Sequence, residues 1–244
     1  MKRALITGVS GGLGSAMARE FRRHGWFVTG VCRTAPAGDV CDEFIICDLT
    51  DPAAVSRLAE SVGTLDLLIN NAGIGSYASW EELDEASLRR LMEIDFFAPV
   101  ALTKALLPAL ARSRGAVINI SSVAAVVPVA CMGAYNAAKA AIAMFSESLR
   151  PELHSRGIRV LTVMPGRIDT GFSKRAVGGR TVPDTPGRTA SSADGLARQV
   201  YRALMWHRRR LIYPAWYVAP IAFIRHFPAV NEYFNRKLWG LNRE

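Results

Sequence analysis

Residues 7–14 read Thr7-Gly8-Val9-Ser10-Gly11-Gly12-Leu13-Gly14, directly after the apolar run Arg3–Thr7 and directly before a helical pattern over Leu13–His24. Glycines at such a strand-to-helix turn let the backbone bend sharply and approach a pyrophosphate. The free N–H groups and the dipole of the helix start stabilise the phosphate charge. The spacing of Gly8, Gly12 and Gly14 is GxxxGxG, which departs from the common GxGxxG dinucleotide fingerprint. A plain glycine-rich connector has the same composition, but the first strand–helix junction is where a nucleotide-binding turn belongs. Gly8, Ser10, Gly12, Leu13 and Gly14 are therefore candidate cofactor contacts.

Outward from this turn, short apolar or β-branched runs alternate with longer helical patterns. The strands read as Arg3–Thr7, Trp26–Val31, Glu43–Cys47, Leu65–Asn70, Gly115–Ile120, Gly157–Val163 and Leu211–Tyr213. Helices fall near Leu13–His24, Pro52–Ser61, Glu81–Ala111, Gly133–Ser155 and Ser192–His207, with Thr50, Asp51 and Ser192 as capping residues and Gly25 as a stop. This alternation predicts an α/β fold, a doubly wound seven-stranded parallel sheet with helices on both faces. A chain of 244 residues is long enough for one large core, so a single domain and one active site are expected. The stretch 171–191, rich in Gly, Pro, Ser and Thr, reads as a flexible substrate loop.

The net charge is +9, with basic residues spread along the chain and clustered locally at Arg22-Arg23 and Arg208-Arg209-Arg210. No zinc-finger spacing or RNP-like aromatic motif accompanies them, so nucleic acid is not the expected partner. An anionic cofactor, an anionic membrane surface or solvated faces account for the excess. Cys32, Cys41, Cys47 and Cys131 form no CxxC pair, and no histidine stands at ligand spacing, so neither a metal site nor a disulfide framework is expected. The chain enters its first strand straight after Met1-Lys2-Arg3, leaving no room for a signal peptide, and a reducing cytoplasm is the expected location.

Two further groups carry chemistry. At the end of the second strand, where an acidic residue would accept from a ribose 2′-hydroxyl, the chain reads Val31-Cys32-Arg33-Thr34. Arg33 offers a planar fork of donors suited to a 2′-phosphate, and NADP is the cofactor expected. Tyr135 and Lys139 stand four apart at the start of a helical pattern and so share a face. A tyrosine hydroxyl with a pKa of about 10 is a poor base at neutral pH, and a neighbouring ammonium is expected to lower it. Ser122, at the end of the strand Gly115–Ile120, is placed to hold a substrate oxygen beside that pair.

With these residues in view, the chain resembles a classical short-chain dehydrogenase/reductase from Arg3 to about Thr170. Thr7 to Gly14 is similar to that family's TGxxxGxG turn, Asn70-Asn71-Ala72-Gly73 to its NNAG segment, and Ser122, Tyr135 and Lys139 to its catalytic core. Pro165, Gly166, Ile168 and Thr170 lie in its PGxxxT nicotinamide-side loop, and Asp48, followed by Leu49, is similar to its adenine-contacting aspartate. The resemblance implies a Rossmann fold, pro-S hydride transfer at a nicotinamide, ribose contacts from Lys139, cofactor contacts from Asn71, Ala72 and Gly73, and a homodimer or homotetramer. Arg33 matches the subgroup similar to NADP users. One position departs: the family's asparagine in the long helix, which completes a water relay to the lysine, is Asp95 here. An aspartate accepts from the same water but donates only when protonated, so Asp95 either serves the relay as an acceptor or is a silent exchange.

The expected substrate walls are the loop Ile74 to Trp80, the stretch Val123 to Cys131, residues 171–191 and the C-terminal segment 211–244. Most are apolar, which favours a lipophilic ketone, aldehyde or secondary alcohol. Within that segment, residues 211–224 form an uncharged, largely apolar run too short and proline-broken to span a bilayer. Phe227, Val230, Phe234 and Leu238 then recur at helical spacing. Either this helix packs its apolar face on the pocket or a subunit partner, or it rests, with Arg208-Arg209-Arg210, on an anionic membrane. From other classes, a catalytically weak NADP-binding regulatory protein and a membrane-surface interaction protein are the alternatives to an enzyme.

Overall fold

The computed structural model describes residues 1–35, 38–181, 183 and 190–241. Residues 182 and 184–189 of the expected substrate loop, and 242–244 of the C-terminal segment, lie outside the described residues. The strands are β1 (Arg3–Thr7), β2 (Phe27–Cys32), β3 (Glu43–Ile46), β4 (Leu67–Asn70), β5 (Ala116–Ile120), β6 (Arg159–Pro165), β7 (Ile168–Asp169), β8 (Ser191–Ser192) and β9 (Arg210–Tyr213). Seven of them form a sheet in the order β3-β2-β1-β4-β5-β6-β9, every pair parallel. Their ends differ from the sequence expectation by one or two residues.

The two faces follow from alternation along each strand. Ile6, Ile69, Ile118 and Val163 pack on one face with Met17 and Phe21 of α1 (Gly12–Arg23) and Leu196 and Val200 of α6 (Ala193–Met205). Leu5, Leu68, Val117 and Val160 face the other side. There they meet Val55 and Leu58 of α2 (Pro52–Ser61), Leu102 and Leu106 of α4 (Ala98–Ser113) and Leu153 of α5 (Gly133–His154). Helix 85–113 is long and apolar enough to cross a membrane by length and composition. Its apolarity has a use here, since Leu102, Leu106 and Leu110 are wholly buried in that second core. Strand order reverses between β1 and β4, which opens a crevice at their carboxyl ends, the place where such sheets bind ligands.

Three expectations are corrected. The long helix expected from Glu81 begins four residues later as α3 (Glu85–Met92), because the Asp84 carboxylate caps it by accepting from Ser87 N at 2.8 Å. It is then broken by a π-turn, Glu93–Phe97, before α4. The described part of 171–191 is not structureless: Ser173–Arg175 form a 3₁₀ turn, Val177 N donates to Gly75 O at 2.9 Å, and β8 pairs with β7.

The C-terminal segment differs most. After β9 come α7 (Val218–His226) and α8 (Pro228–Leu238). α8 is held on the body by polar groups. Asn231 and Asn235 donate to Pro128 O at 2.9 and 3.2 Å, Asn235 Oδ1 accepts from Ala130 N at 2.8 Å, and the buried Trp239 stacks near Tyr77. Phe227, Phe234 and Leu238 are 53, 60 and 42% exposed, so they do not pack fully on the body of this chain. Arg208-Arg209-Arg210 precede or begin β9, at the end of the sheet opposite the crevice, and Arg210 pairs with Glu147 at 3.1 Å. They therefore do not flank the C-terminal helices.

Candidate active site

The glycine turn is locked to the neighbouring strand before any ligand arrives. Thr7 Oγ1 accepts from Asn71 N and Ala72 N, both at 2.9 Å, and Asn71 Nδ2 donates to Thr7 O at 2.9 Å. A Cβ on Gly14 would collide with Gly8 O, and one on Gly12 would sit 3.0 Å from Thr170 Cα, so only glycine permits this close approach. Gly11, the N-cap of α1, makes no side-chain capping bond, and no acidic residue stands in the first turn. The positive end of the helix dipole thus faces the crevice unneutralised.

That crevice is a cleft of about 710 Å³. Every position expected to contact cofactor, from Gly8 to Thr170 and including Arg33, Asp48 and Leu49, borders it, as do Ser122, Tyr135 and Lys139. Asp95 does not: it lies behind Gly73, buried. The walls at the far end include the apolar side chains of Ile74, Val123, Ala124, Val129, Met132 and Phe172. No described residue of the C-terminal segment lines the cleft itself, but the segment stands beside it: the Tyr217 ring lies against Gly166 and Trp239 stacks near Tyr77, and Gly166 and Tyr77 both line the cleft. Trp80 is exposed and also lies outside the lining.

Sequence reasoning missed three cations at the rim. Arg90, Arg167 and Arg175 border the cleft along with Arg33 and Lys139, against a single carboxylate, Asp48, among the described residues. Arg175 reaches back over the turn, its Nη2 3.5 Å from where a Gly11 Cβ would stand. Only the folding back of the 171–191 segment brings it there. Asp48 has one oxygen committed to Thr50, accepting from its N at 3.0 Å and its Oγ1 at 2.8 Å. Those bonds, chiefly, hold its pKa below the usual value. A glycine cradle, a bare helix start and four arginines against one carboxylate among the described residues fit a phosphorylated dinucleotide.

The end of β5 and the start of α5 set Ser122, Tyr135 and Lys139. Ser121 Oγ donates to Lys139 O at 2.7 Å, tying the helix to the strand end. Ser122 follows in extended conformation, its Oγ accepting from Ala124 N at 3.1 Å. Lys139 Nζ lies 5.6 Å from the centre of the Tyr135 ring, donates to Ile120 O at 3.2 Å, and pairs with Asp95 Oδ1 at 3.1 Å. Both Asp95 oxygens also accept from Ile74 N at 3.3 Å. The lysine therefore meets a carboxylate directly, where the resembling family reaches its asparagine through water.

Lys139 acts on the Tyr135 pKa in the expected direction, but burial, the largest influence, outweighs it. Burial pushes the phenol up, Lys139 pulls it down, and Asp95 pushes it up again, leaving it above the ordinary tyrosine value. Burial alone would lower the Lys139 pKa, but Asp95 and Tyr135 outweigh it and hold the ammonium protonated. Burial also raises the Asp95 carboxyl, against the pull of Lys139 and Ile74 N.

A sequence model described as short chain dehydrogenase matches residues 2–179. The chain belongs to the short chain dehydrogenase family. A 3-ketodihydrosphingosine reductase from Bacteroides thetaiotaomicron is 33% identical to it over 201 residues, covering 80% of this chain and 73% of that protein. An NADPH-dependent 1-acyldihydroxyacetone phosphate reductase from Schizosaccharomyces pombe is 33% identical over 195 residues, covering 76% of this chain and 66% of that protein, just under two thirds of its length. A short chain dehydrogenase from Burkholderia cenocepacia in complex with NADP matches this fold with a TM-score of 0.80 at 26% identity, covering 97% of this chain and 98% of that one.

Removing one partner of a buried pair leaves the other charge uncompensated. Asp95→Ala should lower unfolding stability by about 3–5 kcal/mol in urea titrations, and Asp95→Asn, which keeps a neutral acceptor for Nζ, by clearly less.

Proposed function

We propose that this chain reduces a ketone or aldehyde carbonyl with NADPH, on a substrate that is largely apolar. The observation that carries this reading is the meeting of Ser122, Tyr135 and Lys139 on the wall of a cleft whose other end is the glycine turn. The S. pombe relative is NADPH-dependent, the B. cenocepacia structure holds NADP, and the Bacteroides relative's name specifies a keto group. Together with Arg33 at the end of β2, these support NADPH as the hydride source, supplied from the nicotinamide.

The residues divide the remaining work. Ser122 Oγ hydrogen-bonds the carbonyl oxygen. Tyr135, kept in its phenol form by the raised pKa, donates the proton that this oxygen takes up as hydride reaches the carbon. Lys139 stabilises the phenolate left behind, which solvent then reprotonates. A phenol protonated at neutral pH is the form that reduction needs. The lining by Ile74, Val123, Val129, Met132 and Phe172 favours a lipophilic substrate.

A panel of carbonyl compounds followed by loss of NADPH absorbance tests the reading. Tyr135→Phe should fold and bind NADPH yet lose about 10²- to 10⁴-fold in turnover, the usual range for a general acid, and retained turnover would remove Tyr135 from the chemistry. Asp95→Asn removes the carboxylate that raises the Tyr135 pKa, so that pKa should fall. In the oxidation direction, which needs phenolate, activity rises with pH, and the rising limb should move to lower pH in the variant. An unmoved limb would mean that the carboxylate does not act on Tyr135. Arg33→Ala should raise the Michaelis constant for NADPH by roughly tenfold or more and leave that for NADH nearly unchanged, since loss of a charged contact is on that scale. Equal changes would make Arg33 structural.

A further inference from the structure

Helices α7 and α8 leave an apolar surface in solvent. Phe234 and Leu238, four apart on α8, are exposed, as are Phe227 just before the helix and Leu241 just after it. Val218 and Phe223 add to it from α7, with Phe223 and Phe227 in ring contact at 4.8 Å. The cause is visible in how α8 is seated: it uses Asn231, Asn235 and Trp239 to hold the body, so these apolar side chains have no place in the core. Exposed charge around this surface is mostly positive. From residue 215 to 241 the chain carries Arg225, Arg236 and Lys237 against Glu232 alone, and Glu232 lies 3.9 Å from Arg236.

We propose that the exposed face of α7 and α8 docks on an anionic phospholipid surface. Half-exposed aromatics with flanking Arg and Lys match the boundary between headgroups and acyl chains, where apolar area enters the interface and cations stay with phosphate. A second copy of this chain is the poorer occupant. A two-fold contact sets a patch against itself and would bring Arg225 and Lys237 towards their own equivalents, whereas an anionic surface complements them.

The place of this face on the molecule adds to the case. α8 is bonded to Pro128 and Ala130, and Val129 between them borders the cleft. Resting on the reductase reading, this puts the mouth of the apolar end beside the bilayer, where a lipophilic carbonyl compound would be concentrated.

The test measures binding without cofactor or substrate, so its failure is separate from failure of the reductase reading. The full chain is sedimented with vesicles of phosphatidylcholine alone and of phosphatidylcholine with phosphatidylglycerol in equal parts. Binding should require phosphatidylglycerol and weaken as salt rises. Phe227→Ser, Phe234→Ser and Leu238→Ser combined should weaken it by at least roughly tenfold. Arg225→Gln and Lys237→Gln should each weaken it by roughly fivefold. Unchanged circular dichroism and NADPH binding would show that these exposed positions were altered without unfolding the chain. No binding by the intact protein, or binding that the triple variant retains, would overturn the proposal. So would light scattering that shows a self-association abolished by the triple variant while vesicles fail to bind, since the occupant would then be a second copy.

Discussion

The Lys139 ammonium, buried beside Tyr135, has to be paired, and in this chain the partner is a carboxylate at 3.1 Å. Taking either charge out of water alone would cost several kcal/mol, so the geometry around Lys139 and Asp95 is tightly constrained. Residue 73 must be glycine, because a Cβ there would collide with Asp95 Oδ1. The π-turn at Glu93–Phe97 places Asp95 behind that glycine, in keeping with the frequent use of such turns at functional sites. Ser121 Oγ, holding Lys139 O, keeps the other half of the pair in register with β5. The same carboxylate weakens the pull of Lys139 on Tyr135. Burial of the ring and Asp95 together keep the Tyr135 pKa above its ordinary value despite the lysine beside it.

The opposite end of the cleft works by excess charge in place of pairing. A bare helix start, the glycine turn and four arginines converge on one volume with a single carboxylate at its edge. Pre-existing bonds from Thr7 to Asn71 and Ala72 fix the turn, so little ordering is left for a ligand to impose. Arg175 is the exception, for it comes from the segment that also carries Phe172 and Ser173 on the substrate side. One stretch of chain therefore touches both ends of the cleft, and its position links phosphate binding to the shape of the substrate wall.

Burial separates the two apolar populations of this chain. The strand and helix residues of the two cores are almost wholly covered, while Phe227, Phe234 and Leu238 stay about half exposed among the described residues. Both look alike in hydropathy. What differs is which face of the helix carries the polar anchors, and on α8 these are Asn231 and Asn235.

Local pattern was enough for the frame. Short apolar runs, the glycine turn after the first of them, and Tyr135 four residues before Lys139 depend on backbone geometry over a few residues, and the folded protein keeps them where the sequence places them. The NADP preference also rests on a local feature, the arginine in place of an acid after β2. Long-range packing decided the rest. Lys139 and Asp95 are 44 positions apart in sequence, so their direct pairing, and with it the direction in which the Tyr135 pKa moves, follows only from burial in the folded chain. Arg175 joins the phosphate end because the segment 171–191 folds back, and Arg208-Arg209-Arg210 leave the C-terminal helices because β9 runs parallel to β6. A charge or an apolar side chain carries its chemistry in the sequence, but desolvation and neighbours set its sign and strength, and those exist only once distant segments meet.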